Sequence, residues 1–320
     1  MTRARLVELG VAALVTLGSA RAAAQVESAR APSPSAEPAT RDAAARDAAA
    51  SDDEQRLHWR WRHWGVLDYA ITGALVAGYL TVELAAGPPD EARWRGGILF
   101  DGAVRRALVK KSRKGRDDWN SASDVFALIP QGMMLIDSLL VPLLTDDWNT
   151  EVAWQLTVIA AQSEAITGLI ARSGHYGVAR ERPDVVPCRR DRDYSSSCYR
   201  GSTASFPGGH VASAFVGAGV VCAAHLRLPL YGGGFWDPAA CVANTAVAAT
   251  AGYARMAGGR HYISDTLVGA ALGASAGFLL PWFVHFRGGE SAQDAQGSLR
   301  WTISAVDTGD APGLGVLGQF

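Results

Sequence analysis

The chain has 320 residues, enough for one large domain or two small ones with a full core. Its 30 basic and 31 acidic side chains nearly cancel, which argues against nucleic acid as a partner. Mean hydropathy is +0.05, a value that leans toward partial or no membrane spanning.

The first residues, Met1-Thr-Arg-Ala-Arg5, are basic; an apolar run extends from Leu6 to about Leu17, and Ala22-Ala-Ala24 precedes Gln25. This order reads as a bacterial-style secretory signal peptide over residues 1–24, with an uncleaved anchor as the alternative. No cysteine follows the expected cut, so a lipoprotein is not indicated. Residues 25–57 are mostly Ala, Ser, Pro, Asp, Glu and Arg. They offer too little apolar surface to order themselves and read as a disordered linker.

The folded part, residues 58–286, opens on His58-Trp-Arg-Trp-Arg-His-Trp64. An aromatic belt at a membrane interface and ordinary packing at a domain start both fit this run. Six apolar segments follow, at about 65–86, 123–144, 153–171, 210–226, 239–257 and 265–285, which predicts an all-α six-helix bundle. Each is close to or just below the ~20 residues a bilayer requires. Asp68, Glu83, Asp137 and Glu164 interrupt them, and Gly217, Gly219, Gly269, Gly273 and Gly277 suit close helix–helix contact.

Between the first two segments, Phe100 to Ala107 reads as a short amphipathic helix. Lys110-Lys-Ser-Arg-Lys-Gly-Arg116 reads as a solvated basic loop, or as a patch drawn to anionic headgroups. Cys188 and Cys198 lie ten apart in a polar loop and predict a disulfide; Cys222 and Cys241 sit in apolar segments and read as buried thiols, a second bridge being the alternative. The tail, 287–320, contains an alternating stretch, Leu299 to Val306, a turn, and Gly313 to Phe320; this reads as a β-hairpin that packs on the bundle.

Three stretches carry chemistry. Tyr253 to Asp265 places Arg255, Arg260, His261 and Asp265 within thirteen residues, behind the Gly258-Gly259 turn. On a helix His261 and Asp265 would share a face, and the carboxylate would accept Nδ1–H and leave Nε2 as a nucleophile. Arg255 and Arg260 add phosphate-clamping forks. Ser205-Phe-Pro-Gly-Gly-His-Val-Ala-Ser213 brings His210 behind a Pro-Gly-Gly turn, and His175 stands seven residues before Arg182-Pro183.

In this order and spacing the three stretches resemble the tripartite signature of the type-2 phosphatidic acid phosphatase family. The same superfamily includes class A acid phosphatases and vanadium haloperoxidases. The resemblance spans about residues 60 to 285. Both histidines, the aspartate and the two arginines are kept; His175 stands where the family has lysine, and Gly208 and Ala254 stand where it has serine.

The resemblance implies a phosphomonoesterase acting on a lipid phosphate or a small phosphomonoester, on the periplasmic side of the envelope, membrane-integrated or periplasmic, with membrane association expected. His261, oriented by Asp265, would attack phosphorus to form a phosphohistidine; His210 would protonate the leaving group and then activate water. Arg182, Arg255, His175 and the backbone of Gly208 and Gly209 would hold the phosphoryl oxygens. No metal or other cofactor is implied, vanadate entering only as a phosphate mimic. His175 would replace the lysine charge only when protonated, so an acidic optimum and a weakened enzyme follow, with Arg172 or Arg180 as compensating cations. The alternatives are a degenerate phosphate- or lipid-binding protein and a vanadate-dependent haloperoxidase. A cleaved signal peptide followed by six full spans would put Arg182 inside the cell, where the resemblance has its loop facing outward. An uncleaved N-terminus, a non-spanning segment or a water-soluble periplasmic bundle would each resolve that conflict.

Overall fold

The computed structural model describes residues 57–288, apart from 86, 88 and 199, and the backbone of 300–307 and 312–319. The expected signal peptide, and the linker up to its last residue, lie outside the described residues. The described part is mostly helical: α1 Val66–Ala85, α2 Asp101–Leu108, α3 Arg113–Leu135, α4 Thr150–Val178, α5 Val185–Arg190, α6 Gly209–His225, α7 Trp236–Ala257 and α8 Ile263–Ala274. A π-helical turn, Ile136–Leu140, carries α3 on to Val141–Thr145, and two more, Ser275–Leu279 and Pro281–His285, extend α8. Strands β1 Arg300–Asp307 and β2 Pro312–Gln319 pair antiparallel, with Arg300 opposite Gln319.

Local chemistry sets the helix starts. The Ser112 hydroxyl accepts from the Gly115 amide at 3.1 Å and opens α3 ten residues earlier than the apolar run suggests. Asn149 caps α4 in the same way through the Val152 amide at 3.1 Å. The basic run is therefore not a free loop. Arg116 is buried, gives its guanidinium to the carbonyls of Lys110, Lys111 and Tyr194, and stacks 3.7 Å from the Tyr194 ring. Lys110 lies over Trp119, and Arg113 pairs with Asp193.

Helix α6 is the centre, packed against α3, α4, α7 and α8. From Val211 onward its sequence is largely apolar on every face, and most of that length is buried. Small residues set the spacing: a side chain on Gly277 would overlap the Val216 carbonyl, and one on Gly269 the carbonyl of Gly208. The second contact seats α8 directly on the turn that precedes His210. A bridge between Cys222 and Cys241 joins α6 to α7, so these are not the thiols expected, and Cys188–Cys198 closes the polar loop.

Trp61 and Trp64 pack with Val152, Leu156 and Phe286 in the largest apolar cluster. Packing, rather than an exposed belt, accounts for those two rings. The charges inside the apolar segments are partnered: Asp68 with Arg62, Glu83 with Arg172, Asp137 with His225 and Tyr231, and Glu164 with Gln131. Three stretches, Val66–Leu84, Arg113–Thr145 and Ile263–His285, are long and apolar enough to cross a membrane. The first is only 6% buried, and Leu67, Ile71, Leu80 and Leu84 face outward and call for an apolar environment.

Candidate active site

The three chemistry-bearing stretches meet through an extended strip, Arg180–Arg182. The Glu181 amide donates to Trp94 at 2.8 Å, the Arg182 amide to Ser202 at 2.8 Å, and the Ser205 amide to the Arg180 carbonyl at 3.1 Å. The strip holds the first stretch against the second. The third joins where Nδ1–H of His261 donates to the Ser205 carbonyl at 2.8 Å, which fixes the ring's tautomer and leaves Nε2 as an acceptor facing the Arg182 guanidinium.

This corrects the expected role of Asp265. Its carboxylate lies 3.9 Å from His261 Nδ1, beyond hydrogen-bond reach. It accepts instead from the Ser205 hydroxyl at 2.7 Å, the Tyr262 amide at 2.9 Å and the Arg180 guanidinium at 2.5 Å. Asp265 therefore connects to the imidazole only through Ser205. Arg180 is fully buried; it bridges Asp265 and Asp101, and lies 4.0 Å from the Trp94 ring and 4.3 Å from the Tyr262 ring. Committed in this way, it is no substitute for the missing lysine. Asp101 in turn binds the amide and hydroxyl of Ser264 at the start of α8.

Arg182 presents Nη1 3.5 Å from His261 Nε2 while Nε donates to the Gly201 carbonyl at 2.7 Å. A guanidinium so placed lies where phosphoryl oxygens would emerge around an attacking nitrogen. Arg255 is buried behind the site; Nη1 donates to the Ser123 hydroxyl at 3.2 Å, Asp124 stands at 3.6 Å, and Nε has no partner. Arg260, expected as a clamp, turns the other way to Asp184 and the carbonyls of Ser197 and Arg200, so it secures the disulfide loop.

His210 enters from the first turn of α6, with Nε2 3.1 Å from Asp124. Its side chain is 44% exposed, and that surface lines the cavity shared with His261. Gly208 does not serve as an anion donor, because its amide is taken by the Asp265 carbonyl at 2.9 Å. Gly209, the next residue, does line the cavity.

His175 is bonded through Nε2 to the Pro207 carbonyl at 2.9 Å, with Nδ1 buried and unpartnered. Burial lowers its pKa to about 4, so it supplies no charge near neutrality, and the expected lysine-like role fails. Arg172 lines the same cavity but is paired with Glu83.

His175, Arg182, Gly209, His210 and His261 thus share one cavity of about 510 Å³, which runs on past Gln131 and Glu164 to Tyr79. Arg255, Gly208 and Asp265 stand behind its wall. Burial, reinforced by Arg182 and Arg255, holds His261 well below the usual imidazole range and keeps it neutral. For His210 the bond to Asp124 acts upward, but burial and Arg255 outweigh it and the net shift is down. Two neutral-leaning imidazoles, one aimed by a carbonyl and one by a carboxylate, beside buried cations suit nucleophilic attack and proton transfer on an anionic ester. Among the described residues no His, Cys, Asp or Glu cluster is arranged to hold a metal ion.

Nothing in the sequence marks Ser205 as a relay, although it opens the stretch Ser205 to Ser213. Asp124 had only the hint of a charge at the edge of an apolar segment. Asp101 had none.

Residues 152–288, which include all three stretches, match the PAP2 superfamily. A lipid A 1-phosphatase from Porphyromonas gingivalis is 33% identical over 128 residues, or 40% of this chain. The chain spans about a quarter of that relative's length, 24%. No solved structure matches the chain.

Proposed function

With residues 152–288 forming a PAP2 superfamily domain, we propose that the chain is a phosphomonoesterase of lipid phosphates working through a phosphohistidine. The family and the relative support a phosphatase. One observation carries the finer reading: the unprotonated Nε2 of His261 and the ring of His210 line one cavity, and Arg182, which also lines it, donates to that nitrogen at 3.5 Å.

In the first step Nε2 of His261 attacks phosphorus, the bond to the ester oxygen breaks, and His210 gives its proton to the leaving alkoxide. The phosphorylated ring is cationic and keeps Nδ1–H on the Ser205 carbonyl. His210, now neutral, takes a proton from water; the hydroxide attacks phosphorus, the P–N bond breaks, and phosphate leaves with the lone pair restored to His261. Arg182, which lines the cavity, compensates charge on the phosphoryl oxygens throughout, and the buried guanidinium of Arg255 adds positive potential from behind the wall.

A lipid substrate is favoured by the three helices able to cross a membrane and by the outward-facing apolar side chains of α1. The two disulfides fit an oxidising compartment, and hence the periplasmic side. In this reading the long helices form the family's six-helix bundle and the strand pair packs on it. A second reading, binding without turnover, is favoured by one feature: neutral His175 and the bare Gly208 remove two of the family's phosphate-oxygen donors. Phosphate release from phosphatidic acid and from soluble phosphomonoesters distinguishes the two. Release that His261→Ala abolishes supports the enzyme; equal release by the variant, or none by the wild type, refutes it.

A further inference from the structure

A second concavity, of about 540 Å³, lies between α2 and α5 and shares no lining residue with the catalytic cavity. Its walls carry Arg105 and Arg106 from α2, Arg190 from α5, and the phenols of Tyr194 and Tyr262. The neighbouring cations are committed: Arg180 to Asp101 and Asp265, Arg189 to Glu181, Arg260 to Asp184, and Arg113 to Asp193. Among the described residues no salt bridge involves Arg105, Arg106 or Arg190. Arg105 gives Nη2 to the Tyr194 hydroxyl at 3.5 Å, but its Nε is buried without a partner. The one acid on the wall, Asp191, already accepts from the Asp193 amide. Three guanidinium groups against one carboxylate leave a net positive charge, and among the described residues Arg105 Nε lacks a hydrogen-bond acceptor.

Planar forks of this kind match tetrahedral oxyanions in pairs, and phenol hydroxyls donate to the same oxygens. We propose that the groove between α2 and α5 binds a phosphate-class oxyanion separately from the catalytic cavity, whether as free phosphate or as part of a lipid headgroup. The groove also abuts the catalytic side chains along the chain: Pro183 follows Arg182, and Tyr262 follows His261. The site stands on its own residues and does not depend on turnover.

The test is equilibrium dialysis of the full, detergent-solubilised chain against radiolabelled inorganic phosphate. The wild type should show two classes of binding. The double variant Arg105→Ala/Arg190→Ala should lose one class, its affinity weakened roughly tenfold or more, and keep wild-type hydrolysis; Arg182→Ala should lose the other. Should the alanine variant fail to fold, Arg106→Glu/Arg190→Glu, at two exposed side chains, makes the same test by charge reversal. Phosphatidylglycerol in mixed micelles separates the sources, because a phosphodiester is not a monoesterase substrate. Displacement of the groove-bound phosphate assigns the site to headgroups, and its persistence assigns it to free phosphate. Phosphate binding by the folded groove variants that matches the wild type overturns the proposal.

Discussion

The Ser205 carbonyl lies 2.8 Å from Nδ1 of His261, and the hydroxyl of the same serine lies 2.7 Å from Asp265. One residue thus joins the second stretch to the nucleophile of the third by its backbone and to the buried carboxylate by its side chain. Ser205→Ala keeps the carbonyl and removes only the link to Asp265. A lost hydrogen bond to a charged group costs about 1–3 kcal/mol, so kcat/KM should fall on the order of tenfold or more, with Ser205→Thr restoring most of it. Steady-state kinetics of the two variants, set beside their unfolding temperatures, checks this; an unchanged kcat/KM in Ser205→Ala contradicts the relay.

Asp265 has a second duty, because it neutralises the fully buried Arg180. Breaking a buried pair from one side costs about 3–5 kcal/mol. Asp265→Ala should therefore lower the unfolding temperature sharply, with Asp101 holding part of the charge. His261→Ala, which strands no ion, should unfold close to the wild type. Thermal unfolding of the purified variants separates loss of the site from loss of the fold.

The pH profile follows from the two histidines. The nucleophile must be neutral, and burial with Arg182 and Arg255 keeps His261 neutral well below the ordinary value of about 6.5. The acid must be protonated, and the net downward shift of His210 makes that form scarce at neutrality. kcat/KM should therefore decline as pH rises through the depressed pKa of His210, which gives an acidic optimum. His175, neutral above about 4, does not set it. Asp124→Asn removes the one strong upward influence on His210, so the alkaline limb should move to lower pH. A limb that stays in place in Asp124→Asn would remove His210 as the proton donor.

Much of the helical core was legible because buried helices here are continuous apolar runs, and glycine marks where they touch. The candidate site residues His210, His261, Arg182 and Arg255 could be picked out because each lies in a short local segment with its own spacing. What the sequence hid is what depends on convergence. Arg182 and Arg260 look alike in a list of residues, yet one faces Nε2 of His261 and the other Asp184. Gly208 reads as a donor, but its amide is consumed by α8, which Gly269 lets approach. Likewise, Cys222 and Cys241 read as thiols because nothing local shows that α6 and α7 lie side by side at that level.

A buried cluster far along α6 gives a stability prediction. His225 donates to Asp237 at 2.6 Å and to Asp137 at 3.2 Å, and Tyr231 donates to Asp137 at 2.7 Å. Burial acts against the charged ring, but the two carboxylates win and its pKa is raised. A raised folded-state pKa gives stability that is fully present below the unfolded value of about 6.5 and lost as pH climbs through the folded value. His225→Gln should cost about 3–5 kcal/mol at mildly acidic pH, and the gap to the wild type should narrow as pH rises. Unfolding of both proteins across that range checks the sign; a gap that widens with pH contradicts it.

The most direct test of the mechanism is to mix the protein with a radiolabelled phosphomonoester, quench rapidly, and look for phosphate bound to the chain. The expected result is a label stable in base, lost in acid, mapped to His261 and absent from His261→Ala. Steady turnover with no trapped label on His261 under any quench would contradict the phosphohistidine route.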